Sequence, residues 1–228
     1  MDWLNEFQDT FYKCFVKDDR YTLMIDGIGV TIKVALLAAV LGILIGFLIA
    51  LCNLSKKKGL NLIGKIYTDV IRGTPSVTQL MIVYFVVFAS VHWEKWIIAA
   101  IAFSINSGAY VSEIIRAGIM SVDKGQTEAG RSLGLNAKQT MISIIVPQAM
   151  KNIFPALGNE FITLVKETAI VGYVGLVDIQ KAGDFIKSAT YEAFMPLIAT
   201  AIIYFVLIKL LTIGLGRIEK RLRKSDKR

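Results

Sequence analysis

Histidine, cysteine and proline are scarce in this chain of 228 residues, with one, two and four copies respectively. His92 stands beside Trp93 and Trp96, a grouping expected at a membrane–water interface rather than around a metal. Cys14 and Cys52 fall on opposite sides of the expected membrane boundary, too far apart for the short Cα separation a disulfide requires. Neither belongs to a metal-binding pair, so a disulfide framework and a zinc site are both excluded. Gly59, Gly64 and Lys65 match the first part of a phosphate-binding loop. The next residue is Ile66, where magnesium coordination needs a hydroxyl, and no strand precedes it. ATP hydrolysis is therefore not expected of this chain, and an intramembrane catalytic set is missing too. A cleavable signal peptide is not expected either: Asp2, Glu6, Asp9, Asp18 and Asp19 occupy the start, without a basic region leading into an apolar one.

Charge is also missing over long stretches. A helix needs about 20 mostly apolar residues to cross the hydrocarbon core. Leu23 to Leu54 carries only Asp26 and Lys33, Pro75 to Val91 carries no charge, and Trp96 to Ile115 carries only Glu113. Pro155 to Val177 and Phe194 to Leu215 complete a set of five expected spans. Hydrophobic residues make up 54% of the chain and the mean hydropathy is +0.56. An all-α integral membrane protein follows.

What charge there is lies unevenly. The net +8 comes largely from Lys56, Lys57, Lys58 and Lys65 after the first span, Arg131, Lys138 and Lys151 after the third, and Arg217 to Arg228 after the fifth. The alternate loops hold only Lys95, Lys181 and Lys187. By the positive-inside rule the N-terminus is outside and the C-terminus cytoplasmic. The basic tail suits anionic headgroups, and a nucleic-acid partner is not expected.

The expected organisation is an amphipathic outer-surface segment over residues 1–21, a transmembrane domain over 22–216 and a basic cytoplasmic tail over 217–228. Gly42 and Gly46 permit close helix packing. Leu60, Ile63, Tyr67, Val70 and Ile71 share one helical face opposite Lys65, Asp69 and Arg72, which predicts an elbow helix along the cytoplasmic interface. Thr74 is expected to cap a helix starting at Pro75. A cytoplasmic loop, 117–152, separates the third and fourth spans. Gly134 suits the end of one short helix and Asn136 the cap of the next, while Pro147 is expected to turn the chain back toward the bilayer.

Residues 128 to 147 read EAGRSLGLNAKQTMISIIVP. Glu128, Ala129, Gly134, Ile144 and Pro147 stand in the register of a motif E-A-A, three residues, G, nine residues, I, one residue, L-P, with Gly130 and Val146 as departures. The stretch resembles the cytoplasmic loop of permease subunits of ABC importers. Arg72-Gly73-Thr74-Pro75 with Gln79 and Tyr84-Phe85, Ala109-Tyr110 with Glu113 and Arg116, Gly125-Gln126, and Pro155, Asn159, Phe161-Ile162 and Lys166-Glu167-Thr168 extend the resemblance to the polar amino acid (histidine/glutamine/arginine-type) permeases.

This resemblance implies a type I ABC importer permease fold in the bacterial inner membrane, and a second permease subunit, identical or different. It also implies a pair of ABC ATPase subunits, with ATP and Mg held there and no cofactor in this chain, and an external amino-acid-binding protein. Glu128, Ala129, Gly130, Gly134 and Pro147 are the implied ATPase-coupling residues. Other ABC permeases, such as those for methionine, share the loop. An autonomous secondary transporter or channel is the rival, weakened by the odd span count and the lack of an inverted repeat.

Ionisable groups at membrane depth ask for a partner or a task. Glu160 and Asn159 are taken as substrate contacts, with Thr163 on the same face four residues on. Gln79, Tyr84, Asn106 and Ser107 supply further polar groups along the path. Lys166 and Glu167 are assigned to pairing between helices, and Glu113 with Arg116 to an ion pair.

Overall fold

The computed structural model describes residues 2–224, and Lys227 and Arg228 of the tail lie outside the described residues. Ten α-helices are present among the described residues: α1 Asp2–Phe11, α2 Tyr21–Leu54, α3 Lys58–Arg72, α4 Ser76–Ile82, α5 Lys95–Met120, α6 Lys124–Ser132, α7 Ala137–Thr140, α8 Val146–Glu167, α9 Ile179–Thr190 and α10 Phe194–Lys224. Three π-helical turns, Tyr12–Val16, Val83–Val87 and Met141–Ile145, extend α1, α4 and α7.

Three of these helices, Tyr21–Leu54, Lys95–Met120 and the Phe194–Lys220 part of α10, are long and apolar enough to cross a membrane. A fourth crossing is available if α3 and the Ser76–Val87 helix, bent by 105°, act as one broken span. The fourth apolar stretch differs from its expected course. Its helix begins well before Pro155 and stops at Glu167, and Thr168–Val174 then winds as a 3₁₀ helix. Gly175 ends that helix with a φ of 74°, a conformation open to glycine at no steric cost.

The chain divides into two compact units. The first comprises Met1–Ala38, Ser76–Phe103 and Thr163–Leu211. Its core packs Cys14, Met24, Ile179, Ala182 and Ile186 together, so the N-terminal π turn, α2 and α9 share one apolar centre. Lys13 pairs with Glu192 at 3.4 Å, and Arg20 donates to the Lys13 carbonyl, fastening the N-terminal segment to the end of α9. The N-terminal segment keeps Trp3, Leu4, Phe7 and Phe11 exposed, as an interfacial helix does. Both cysteines are free, and burial pushes the Cys14 thiol up. Trp93 packs on Phe88 with ring centroids 5.7 Å apart, while Lys33 rests 4.0 Å from the centre of the Trp96 ring. Stacking over that face offsets part of the cost of a lysine in a span.

The second unit comprises Ala39–Pro75, Ser104–Ile162 and Thr212–Arg228. Here α2 packs on α5 through its glycines. A Cβ on Gly42 would come 3.1 Å from Ser107 Cβ, and one on Gly46 would overlap the Val111 side chain and lie 2.9 Å from the Gly108 carbonyl. Gly46→Leu is expected to lower the thermal unfolding midpoint in detergent, since overpacking costs about 1–3 kcal/mol and here meets backbone. An unchanged midpoint would mean that α2 and α5 separate at little cost.

The elbow helix forms, but its apolar face is shared between two surroundings. Gly64 and Thr68 are buried, and the Tyr67 hydroxyl donates to the Ile105 carbonyl at 2.6 Å. Ile63 and Val70 stay more than half exposed. The Thr74 hydroxyl donates back to the Val70 carbonyl at 2.9 Å, a bond that closes the end of α3.

Candidate functional site

The loop between α5 and α8 is built by consecutive helix caps. Asp123 starts α6 by accepting the Gly125 N–H. At the other end, the Leu135 N–H reaches the Gly130 carbonyl and the Gly134 N–H reaches the Arg131 carbonyl. This paired closure is a Schellman motif, and it requires the left-handed backbone that Gly134 adopts at φ 83°. Asn136 then accepts from the Gln139 N–H while the Gln139 side chain accepts from the Asn136 N–H, a reciprocal capping box that starts α7.

Glu128, Ala129, Arg131, Ser132 and Leu133 face outward from α6 and the turn after it, with Leu133 81% exposed. Gly130 is buried. A Cβ there would lie 2.8 Å from both Ile144 Cδ1 and Thr140 Cγ2, which explains why glycine occupies the third motif position. Pro147 departs from expectation. The chain does not turn at it: α7, the π turn and α8 follow without a break, and Pro147 sits in the first turn of α8. Because the run starts at Ala137, Pro147 lies in its interior, and the π turn just before it accommodates a residue without an N–H.

Arg72 lies with its guanidinium 5.4 Å from the Tyr110 ring centre and 3.9 Å from Glu113, which Arg116 also holds at 2.8 Å. The Arg72-Gly73-Thr74-Pro75 turn and the Tyr110–Arg116 stretch, distant in sequence, thus meet in one cluster of the second unit. Glu160, half-buried on α8, accepts a 2.7 Å hydrogen bond from the buried Ser107 hydroxyl of α5. Asn106 is buried beside Ser107 in sequence. Asn159 is exposed and borders a cleft of about 120 Å³ with Pro155, Gly158, Ile162, Leu215 and Glu219. Thr163, Gln79 and Tyr84 belong to the first unit, where Tyr84 packs edge-on against Phe85 at 4.9 Å.

The first unit also contains a polar centre that hydropathy did not reveal. Asp178, fully buried, caps α9 by accepting from the Gln180 and Lys181 N–H groups, and it accepts from the Tyr204 hydroxyl at 2.9 Å. A Cβ on Gly27 would lie 2.7 Å from the Asp178 backbone carbon, so α2 touches this cap directly. An aspartate just before a helical pattern was the available signal, masked by the apolar residues preceding it.

Residues 42–224 match the model of the family described as binding-protein-dependent transport system inner membrane component. The chain belongs to that family. It is 43% identical over 205 residues to the putative glutamine transport system permease protein GlnP of Rickettsia bellii, covering 89% of this chain and 94% of that protein. The arginine transport system permease protein ArtQ of Bacillus subtilis is 42% identical with the same coverage. Among solved structures, an amino acid ABC transporter with histidines superposes with a TM-score of 0.83 at 44% identity, over 91% of this chain and 98% of that one. The MetNI methionine ABC transporter, 18% identical with a TM-score of 0.76 over 89% of this chain and 97% of that one, shares the fold. This permease is accordingly an all-α, multi-pass inner-membrane subunit of an ABC importer.

Proposed function

We propose that the permease imports polar amino acids, with cationic ones favoured by Glu160, and that it does so as half of a permease pair. In this reading it crosses the membrane five times, with the N-terminus outside and the C-terminus in the cytoplasm. A pair of ABC ATPase subunits, which hold the ATP and Mg, docks on the exposed face of Glu128, Ala129, Arg131 and Leu133. ATP binding draws the loops of the two permeases together and opens the path outward to an external binding protein, and hydrolysis reverses the motion.

The observation that carries the substrate assignment is the Ser107–Glu160 pair, a carboxylate held on α8 in a chain whose relatives are named for glutamine and arginine. A carboxylate at membrane depth pairs with an ammonium or guanidinium through charge-assisted hydrogen bonds. Asn159, Thr163, Gln79, Tyr84 and Asn106 are assigned to the remaining polar contacts. Glu160→Gln is expected to reduce arginine and lysine uptake about tenfold or more, as loss of a hydrogen bond to a charged group does, with a smaller effect on glutamine. Equal loss for all three would remove Glu160 from selection and leave the choice to the binding protein.

A further inference from the structure

The polar face of α9 is not used by the path just described. One side of this helix, Ile179, Ala182, Gly183 and Ile186, is buried in the first unit. The other carries Gln180, Lys181, Asp184 and Lys187. Gln180, Lys181 and Asp184 open onto a cavity of about 330 Å³, whose remaining walls are Ala169, Gly172 and Tyr173. That volume lies at the lower end of small-molecule sites, about 300–1,000 Å³.

The two charges on the wall are placed differently. Asp184 is held by Lys187 at 2.8 Å, and its second oxygen and remaining lone pairs give it further acceptor capacity. The Lys181 stem crosses Gly172, its Cδ 3.2 Å from where a Cβ would stand, and its ammonium lies 5.4 Å from the Phe185 ring centre. No carboxylate pairs with Lys181 among the described residues. Lys181 and Asp184 stand one helical turn apart on the same face, so one ligand can meet both.

We infer that this cavity is a recognition site for the α-ammonium and α-carboxylate of a free amino acid, with Lys181 taking the carboxylate and Asp184 the ammonium. The chemistry selects against the alternatives. Lys181 and Lys187 oppose a simple cation, a simple anion leaves the remaining acceptor capacity of Asp184 unused, and Gln180, Lys181 and Asp184 on the wall do not suit a lipid chain. A zwitterion satisfies both charges. The inference rests on the import reading, in which α9 lies on the outer side. It adds a contact to the part shared by all amino acids, while Glu160 reads the side chain.

The test uses the complete transporter in lipid nanodiscs and proteoliposomes. Gln180→Cys is labelled with a charged thiol reagent and followed by mass spectrometry, Cys14 being buried with its thiol pushed up by burial. Arginine and glutamine are expected to slow labelling equally, whereas agmatine, which lacks the α-carboxylate, does not. In the same background Lys181→Met weakens protection about tenfold or more, and Asp184→Asn weakens it similarly. Protection by agmatine equal to that by arginine, or protection unchanged in Lys181→Met, overturns the site. ATP-driven uptake by the unsubstituted transporter separates the two readings: uptake without protection removes this site alone, and absence of uptake removes the import assignment.

Discussion

Gly134→Asp is expected to leave the permease folded in its membrane while stripping it of its ATPase. The substitution separates shape from charge at the exposed turn. Gly134 has φ 83° and nothing within 4 Å of where a Cβ would stand. A side chain therefore meets no neighbour, and the cost is the left-handed backbone alone, about 1–2 kcal/mol for an ordinary residue and less for Asp or Asn. The new carboxylate would stand beside Leu133, at the centre of the proposed docking face. An unpaired charge buried at an interface costs about 3–5 kcal/mol, which corresponds to a loss of affinity of two to three powers of ten or more. Gly134→Asn is the control, with similar backbone tolerance and no charge. Co-purification in mild detergent, with membrane yield measured in parallel, checks the expectation. Retention of the ATPase by Gly134→Asp would place the coupling contact elsewhere on the loop.

The second large effect is expected at Asp178. Alanine there leaves the Gln180 and Lys181 N–H groups and the Tyr204 hydroxyl without their buried acceptor. A lost N-cap costs about 0.5–2 kcal/mol, and each hydrogen bond to a charged group about 1.5–3 kcal/mol. Asp178→Ala is therefore expected to destabilise the first unit by about 3 kcal/mol or more, read as a lower unfolding midpoint. Tyr204→Phe should lose less, and the double variant little beyond Asp178→Ala, because the two groups share one bond. Additive losses would show that Tyr204 and Asp178 act separately.

Sequence reading recovered α2, α5 and α10 because each is a long apolar run, a signal carried by every residue in it. It also recovered the caps at Gly134 and Asn136, whose chemistry acts within three or four residues. The Glu113–Arg116 pair was legible for the same reason, being one helical turn apart. Contacts between distant segments were not legible. Nothing near Glu160 in the chain announces Ser107, and nothing near Asp178 announces Tyr204. The stop at Glu167 was hidden because Thr168–Val174 is as apolar as the helix before it, and hydropathy does not distinguish a 3₁₀ helix from an α-helix. Helix α9 was missed because it is short and its polar stripe lowers the average. At Pro147 a local rule misled: proline commonly stops helices in their interior, and here the π turn before it lets the helical run continue.

The unbroken course from α7 through the π turn into α8 makes a single lever out of parts that the sequence suggests are separate. Gln139 in the capping box and Glu160 stand on it roughly 30 Å apart, at 1.5 Å per residue. The regular bonding of the shaft is interrupted at the π turn Met141–Ile145 and at Pro147 and Pro155, each of which withholds one backbone N–H. In the proposed mechanism a push at the capped end would reach the carboxylate along this backbone, reduced by what those joints absorb. This leaves the proposed mechanism little slack: the stroke of the ATPase and the posture of Glu160 would be tied by one piece of backbone.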